Sequence, residues 1–265
     1  MTFDKVFRTL HAGPELLILP NAWDAGSARL IESAGAKAIA TSSAAVAWAR
    51  GYPDGQLLPF DSLLSTLAEI VRIVRVPVSA DIESGYAASA AEIGEKIARV
   101  VGAGVVGVNI EDGTNPPELL CAKIERAKTT AAREGVDLWI NARIDVYIRK
   151  LADGSAAFDE CVRRAALYRA AGADSIFVPA LVDGDAIARM VPQVGLPFNA
   201  LAWPGLPDAS ALRKIGVRRL SAGGGVAKAS YGRTQAVTKA FLADGKVEAF
   251  GESALPNLND LMRRD

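Results

Sequence analysis

The feature that most constrains this chain is a repeat: short apolar runs alternate with longer amphipathic stretches from one end to the other. The runs are Leu16–Leu19, Ala38–Thr41, Val76–Ala80, Val105–Ile110, Leu138–Asn141, Ile176–Val178, Phe198–Leu201 and Arg219–Ser221. They are mostly continuous rather than alternating, as expected of parallel strands covered on both faces. Helical patterns lie between them at Ser62–Val74, Ala90–Val101, Glu118–Glu134, Phe158–Ala170 and Ser210–Lys214. Gly35, Gly104, Gly135, Gly172 and Gly216 each precede the next strand, where a left-handed glycine ends a helix and turns the chain back to the sheet. Eight such units in about 250 residues predict a closed (β/α)8 TIM barrel. An open doubly wound sheet is the competitor, but the first strand runs into Asn21-Ala22-Trp23-Asp24 and not into a glycine fingerprint. The reading is one α/β domain over residues 1–243. A less regular C-terminal extension, 244–265, is expected to pack on a neighbouring subunit.

Composition narrows the function. Thirty Lys and Arg balance thirty Asp and Glu among 265 residues, so no basic surplus points to nucleic acid. The single histidine, His11, and two cysteines, Cys121 and Cys161, leave no disulfide framework or zinc spacing and disfavour histidine-based triads. The N-terminus lacks signal-peptide features, and no uncharged apolar run reaches the roughly 18 residues of a membrane helix. Cytoplasm is the expected compartment.

Barrel enzymes carry their chemistry at the C-terminal ends of strands. In order these ends read Thr41-Ser42-Ser43, Asp81-Ile82-Glu83, Glu111-Asp112 and Asn141-Ala142-Arg143-Ile144-Asp145. Acids gathered at one mouth need a positive charge among them. With no histidine or thiolate beside them, their oxygen donors suit a hard cation, Mg²⁺ with Mn²⁺ as the alternative. Arg143 offers a fixed fork for a substrate carboxylate or phosphonate. Taken singly, any of these acids reads equally well as a capping or ion-paired loop residue, Asp112 and Asp145 above all.

At these residues the chain resembles the isocitrate lyase and phosphoenolpyruvate mutase superfamily, with methylisocitrate lyase-like and carboxyphosphonoenolpyruvate phosphonomutase-like character. The matching stretches are Ala40–Ala47 with Gly51-Tyr52-Pro53-Asp54, Pro77–Tyr86, Gly107–Asp112 and Asn141–Asp145. The resemblance implies a Mg²⁺-dependent barrel, commonly a homotetramer, that breaks a C–C bond beside a 2-oxo or 2-hydroxy carboxylate by way of an enolpyruvate-type intermediate. It implies Asp81 as the direct metal ligand, with Glu83, Glu111 and Asp54 acting through water. Ser42, Ser43 and the amides around Ala44 then seat the carboxylate, Arg143 completes that grip, and Asn199 lines the mouth. Asp54, Glu111 and Arg143 are the expected catalytic groups.

The chain departs from the resemblance in three places. The lyases' Lys-x-Cys-Gly-His loop is replaced by Glu111-Asp112-Gly113-Thr114-Asn115-Pro116-Pro117, and Cys121 falls on the apolar face of the next helix. Pro179-Ala180 stands where lyases place a glutamate, and Ala40 where an aromatic often covers the substrate. These departures favour a reaction needing little acid help, such as decarboxylation of an oxaloacetate-like acid. Phosphonomutase-type C–P chemistry and a non-catalytic 2-oxo acid-binding barrel are the alternatives. Gly223-Gly224-Gly225 could cup a phosphate but reads more simply as a tight turn. Lys228 reads as solvated, His11 as a surface or packing residue, and Trp23, Trp48 and Trp203 as core or mouth lining.

Overall fold

The computed structural model describes residues 1–251 and 255–263, and in it the strands form one parallel sheet curled into a barrel. The strands are β1 (Leu17–Leu19), β2 (Asn21–Ala22), β3 (Ile39–Thr41), β4 (Val78–Asp81), β5 (Gly107–Glu111), β6 (Trp139–Arg143), β7 (Ser175–Phe177), β8 (Phe198–Leu201) and β9 (Arg219–Ser221). β1 is the expected first strand, and β2 extends it beyond Pro20, which has no N–H to give to a ladder. β1 pairs with β9 and β2 with β3, so a single proline joins the two edges of the sheet. The remaining expected strands lie within two residues of their observed limits.

The helices are α1 (Phe3–Ala12), α2 (Ala25–Ser33), α3 (Ser43–Ala49), α4 (Phe60–Ile73), α5 (Ala90–Gly102), α6 (Pro117–Arg133), α7 (Gly154–Ala170), α8 (Gly184–Val194), α9 (Ala209–Lys214), α10 (Gly225–Asp244) and α11 (Leu258–Leu261). The five glycines named above all take positive φ, from 76° to 102°. Between sheet and helices runs the main apolar layer, with Leu67, Ile97, Val108, Ile124, Ile140, Ile176 and Phe198 buried in it. No helix among the described residues is long and apolar enough to cross a membrane.

A second, smaller apolar cluster fills the barrel's interior near its N-terminal end: Phe7, Leu17, Leu19, Ala38, Ala40, Val106 and Trp139. The sequence pattern did not announce α1, which plugs this end. Its Phe7 is fully buried, and the ring of His11 stacks on Trp139 at 4.2 Å. His11 is therefore a packing residue and not a surface one. Burial pushes its pKa down to about 3, with Arg219 and Arg8 adding to the effect, so the ring is neutral at neutral pH. Arg8 ties the plug down through Asp137 and Asp174, at 2.7 and 3.0 Å.

At the other end of the chain, α10 stops at Asp244, and Gly245 follows in the left-handed conformation at φ 70°. A 3₁₀ turn at Val247–Phe250 packs Phe250 on Phe241. α11 returns to α2, where Arg29 Nε donates to the Leu261 carbonyl at 3.0 Å. Residues 252–254 and 264–265 of the expected extension lie outside the described residues.

Candidate active site

Asp81 closes β4 and sets the centre of the mouth. Its Oδ2 accepts from Ser43 N–H (3.2 Å) and Ser43 Oγ (3.0 Å), while its Oδ1 accepts from Glu83 N–H at 3.4 Å. The first turn of α3 thus clasps the carboxylate that ends β4. Burial raises the pKa of Asp81, and Arg143 and the Ser43 donors oppose the shift.

The chain after β4 is sharply folded. Glu83 and Tyr86 take φ 52° and 51°, flanking Gly85 at 97°. Left-handed backbone at a non-glycine residue persists only where its surroundings hold it, and here they do. Lys123 Nζ donates to the carbonyls of Ser84 and Ala87, both at 2.8 Å, and the Gln56 side chain bonds Tyr86 N–H and Ser84 Oγ. Tyr86 Oη then donates to Glu83 Oε1 at 3.1 Å. Glu83 is pushed up to about 7, by burial first and then by the charges on Asp81 and Asp54.

Arg143 closes β6 and reaches Glu111 Oε2 with Nη1 at 2.6 Å and Asp145 with Nε at 2.6 Å and Nη2 at 3.2 Å. Burial raises Glu111, and the charges of Asp145, Asp81 and Glu83 add to this against Arg143. Asp145 is fully buried and also holds Arg149 at 2.9 Å. Asp112 accepts from Arg164, Tyr168 and the Asp145 N–H. Asp112 and Asp145 are thus braces that aim Arg143 and join β5, β6 and α7.

These groups surround a cavity of about 240 Å³ whose wall includes Ser42, Ser43, Ala44, Asp54, Asp81 and Arg143. Glu83 and Glu111 are off the wall, buried behind Asp81 and Arg143. Among the described residues no three His, Cys, Asp or Glu side chains group tightly enough to ligate one ion directly.

Three sequence readings need correction. Asn199 does not line the mouth: it sits two residues short of the end of β8, fully buried, with Oδ1 accepting from Ser221 Oγ at 3.2 Å. Ser43 lines the cavity, but its N–H and hydroxyl are spent on Asp81. Lys228 is not simply solvated, because it shares the cavity wall with Trp48 and Trp203, its Nζ 5.7 Å from the Trp48 ring centroid. Cys121 is off this wall, and burial pushes its thiol pKa up. β5 and α6 are separated by five residues. Sequence reasoning gave no role to Asn21, whose Oδ1 accepts from Ala222 and Gly223 N–H and fixes the glycine turn. It also passed over Asn109 on the cavity floor, although that residue lies inside a matching stretch.

Comparison with known proteins adds the following. The family model described as phosphoenolpyruvate phosphomutase matches residues 7–242. An uncharacterised protein of Mycobacterium tuberculosis is 35% identical over 219 residues, covering 82% of this chain and 81% of that protein. The 2-methylisocitrate lyase of Aeropyrum pernix is 30% identical over 74% of this chain and 64% of its own length. The oxaloacetate decarboxylase of Ectopseudomonas mendocina is 29% identical over 81% and 76%. A Burkholderia cenocepacia crystal structure, provisionally assigned as a phosphonomutase, superposes with TM-score 0.86 at 36% identity, covering 90% of this chain and 98% of that one.

Proposed function

The chain belongs to the phosphoenolpyruvate phosphomutase family, and from that membership we propose that it is a Mg²⁺-dependent carbon–carbon lyase acting on a small 2-oxo or 2-hydroxy carboxylate. The observation that carries the reading is the crowding of Asp81 on the wall of one small cavity with Glu83 and Glu111 behind it, both glutamates raised by burial and by neighbouring acids. Such a set is electrostatically short of a cation, and its donors are all oxygen, which fits Mg²⁺. Asp81 would hold the ion directly, with Glu83, Glu111 and Asp54 acting through water. When bound there, such an ion would supply Lewis-acid stabilisation of the negative charge that develops on the substrate.

The chain's own groups do the rest. Ser43 keeps Asp81 aimed at the cavity. Ser42, the amides around Ala44 and the remaining N–H bonds of Arg143 receive the substrate's carboxylate. Glu111 and Asp145 keep the guanidinium from swinging away, so the carboxylate docks in one orientation and the scissile bond points to the opposite wall. That wall carries Phe177, Pro179, Leu201 and Trp203, with Lys228 as its one charged group. Decarboxylation of an oxaloacetate-type acid suits this wall, since CO₂ leaves unprotonated and water quenches the enolate. The oxaloacetate decarboxylase relative supports the same reading.

The exposed length of α10, with Tyr231, Phe241 and Leu242 on it, supports a homo-oligomer in which this helix and the extension meet a second copy. The functional test is release of pyruvate from oxaloacetate, 2-methylisocitrate and 2,3-dimethylmalate, of glyoxylate from isocitrate, and of pyruvate or phosphoenolpyruvate from phosphonopyruvate, with Mg²⁺ and then with EDTA. Metal-dependent turnover of a C–C substrate is expected. Turnover of phosphonopyruvate alone would shift the reading to C–P chemistry. Metal-dependent binding of pyruvate without any turnover would make this a binding barrel.

A further inference from the structure

Below the mouth, the barrel's interior holds a positive charge with no ionic partner. Arg219 opens β9 and is 1% exposed. Its side chain crosses the barrel, and Nη2 donates to Asn109 Oδ1 at 3.2 Å. Nε and Nη1 are buried and have no acceptor. Burial lowers its pKa to about 10, with the charge of Asp81 opposing, so the guanidinium stays protonated at neutral pH. Asp81 does not pair with it, because both its oxygens are held by Ser43 and Glu83. A buried guanidinium without acceptors is costly, and native interiors supply a partner or a guest.

The surrounding groups say what kind of guest. Three more buried polar atoms in the interior lack partners: Asn199 Nδ2, Ser79 Oγ and His11 Nε2. Asn199 is the register partner of Arg219 on β8, which places the two side chains on strands about 5 Å apart. Ser79 lies two residues before Asp81, on the same face of β4. His11 Nδ1 faces the Phe7 carbonyl at 2.8 Å, so Nδ1 carries the proton and Nε2 is a lone pair. Arg219 Nε and Nη1 and Asn199 Nδ2 can only donate, and Ser79 can do either. One acceptor faces several donors and a full positive charge.

The neighbouring polar belt cannot repair this imbalance. Trp139 Nε1 donates to Ser175 Oγ, which donates to Asn141 Oδ1, and Asn141 Nδ2 donates to the same Asn109 oxygen that Arg219 uses. Asn199 Oδ1 is taken by Ser221. Each amide oxygen of the belt already accepts from another group, and Asn109 Oδ1 accepts twice.

We propose that the barrel interior binds one small monovalent anion, of halide size, against Arg219 Nε and Nη1, with Asn199 Nδ2 as a further donor. Asn199 and Arg219 are register partners on adjacent strands, so a guest between their side chains bridges a gap of about 5 Å, which suits a single atom. It balances the guanidinium from below while Asp81 balances it from above. The proposal does not depend on which reaction the mouth performs, and its readouts need no turnover.

The test pairs diffraction with melting. Crystals soaked in bromide are expected to show an anomalous peak in contact with Arg219 Nε and Nη1. Thermal melts at constant magnesium acetate and equal ionic strength are expected to lie several degrees higher in chloride or bromide than in gluconate, with saturation. Arg219→Met should abolish both the peak and the halide increment. If that variant does not fold, Asn199→Leu keeps the guanidinium and should weaken half-saturation by about tenfold, as loss of one hydrogen bond does. An ordered water with no anomalous signal, or identical melts in halide and gluconate, overturns the proposal. So does an unchanged halide response in Asn199→Leu.

Discussion

From β4 to β6 the wall of the mouth is charged, and its strand-end charges are tied down: Asp81 by Ser43, Arg143 by Glu111 and Asp145. From β7 to α10 the wall is apolar, made of Phe177, Pro179, Leu201 and Trp203, and its one cation, Lys228, has no carboxylate partner among the described residues. The first wall stands on strand ends and buried pairs; the second takes Phe177 and Leu201 from strand ends but draws Pro179 and Trp203 from connecting loops and Lys228 from α10. Groups that must be held to a fraction of an ångström belong on rigid elements, whereas those that choose among substrates can sit on replaceable ones. The charged wall is thus expected to govern whether the reaction happens at all. The apolar wall should govern which acid reacts.

The largest effect that would break this division is at Asp81. Asp81→Ala should lower kcat/KM by about a thousandfold or more and remove the response to Mg²⁺. Substantial activity that still responds to EDTA would place the ion elsewhere. Arg143→Met follows. It should cost about a hundredfold in activity and also about 3 kcal/mol of stability, because Glu111 and Asp145 lose their shared cation. Urea unfolding separates the two losses, and a stable, inactive variant would mean that the pairs are weaker than their geometry suggests.

On the other wall, Trp203→Ala and Lys228→Ala should each change kcat/KM by about tenfold or less for any one acid, while reordering the preferences within a panel. A uniform thousandfold loss from Lys228→Ala would overturn the comparison by making the second wall catalytic.

The two walls also differ in how far the sequence discloses them. A continuous apolar run ending in an acid is visible without coordinates, and Asp81, Glu111 and Arg143 all stand at such ends. What Ser43 does is not visible, because a serine after a strand can face a substrate or a neighbouring carboxylate. Here the start of α3 settles it in favour of Asp81. Lys228 reads as a helix residue, and only the seating of α10 beside the glycine turn shows that it borders the cavity. α1 escaped notice because Asp4, Lys5 and Arg8 interrupt a face that buries only Phe7 and His11. Arg219 opens a three-residue strand, where a charge normally marks the solvent edge. Nothing local tells that the strand's first residue points into a sealed barrel.

The smallest predicted effect is a slope. Glu83 is pushed up to about 7 from 4.5, by burial first and then by the charges on Asp81 and Asp54. Between those two values the folded chain keeps a proton that the unfolded chain has released, so stability of the metal-free protein should fall as pH rises. Below the lower value both states are protonated and the effect vanishes; above the upper value the loss is complete. A divalent cation favours the ionised form, so the Mg²⁺-induced rise in melting temperature should be larger at about pH 8 than at about pH 5. Glu83→Gln removes the titrating group and should flatten the metal-free slope, whereas Lys228→Ala on the opposite wall should leave it as it was. Parallel slopes in the wild type and Glu83→Gln would mean that Glu83 does not feel its neighbours' charge, and the charged wall would then be a set of separate residues with no shared need for an ion.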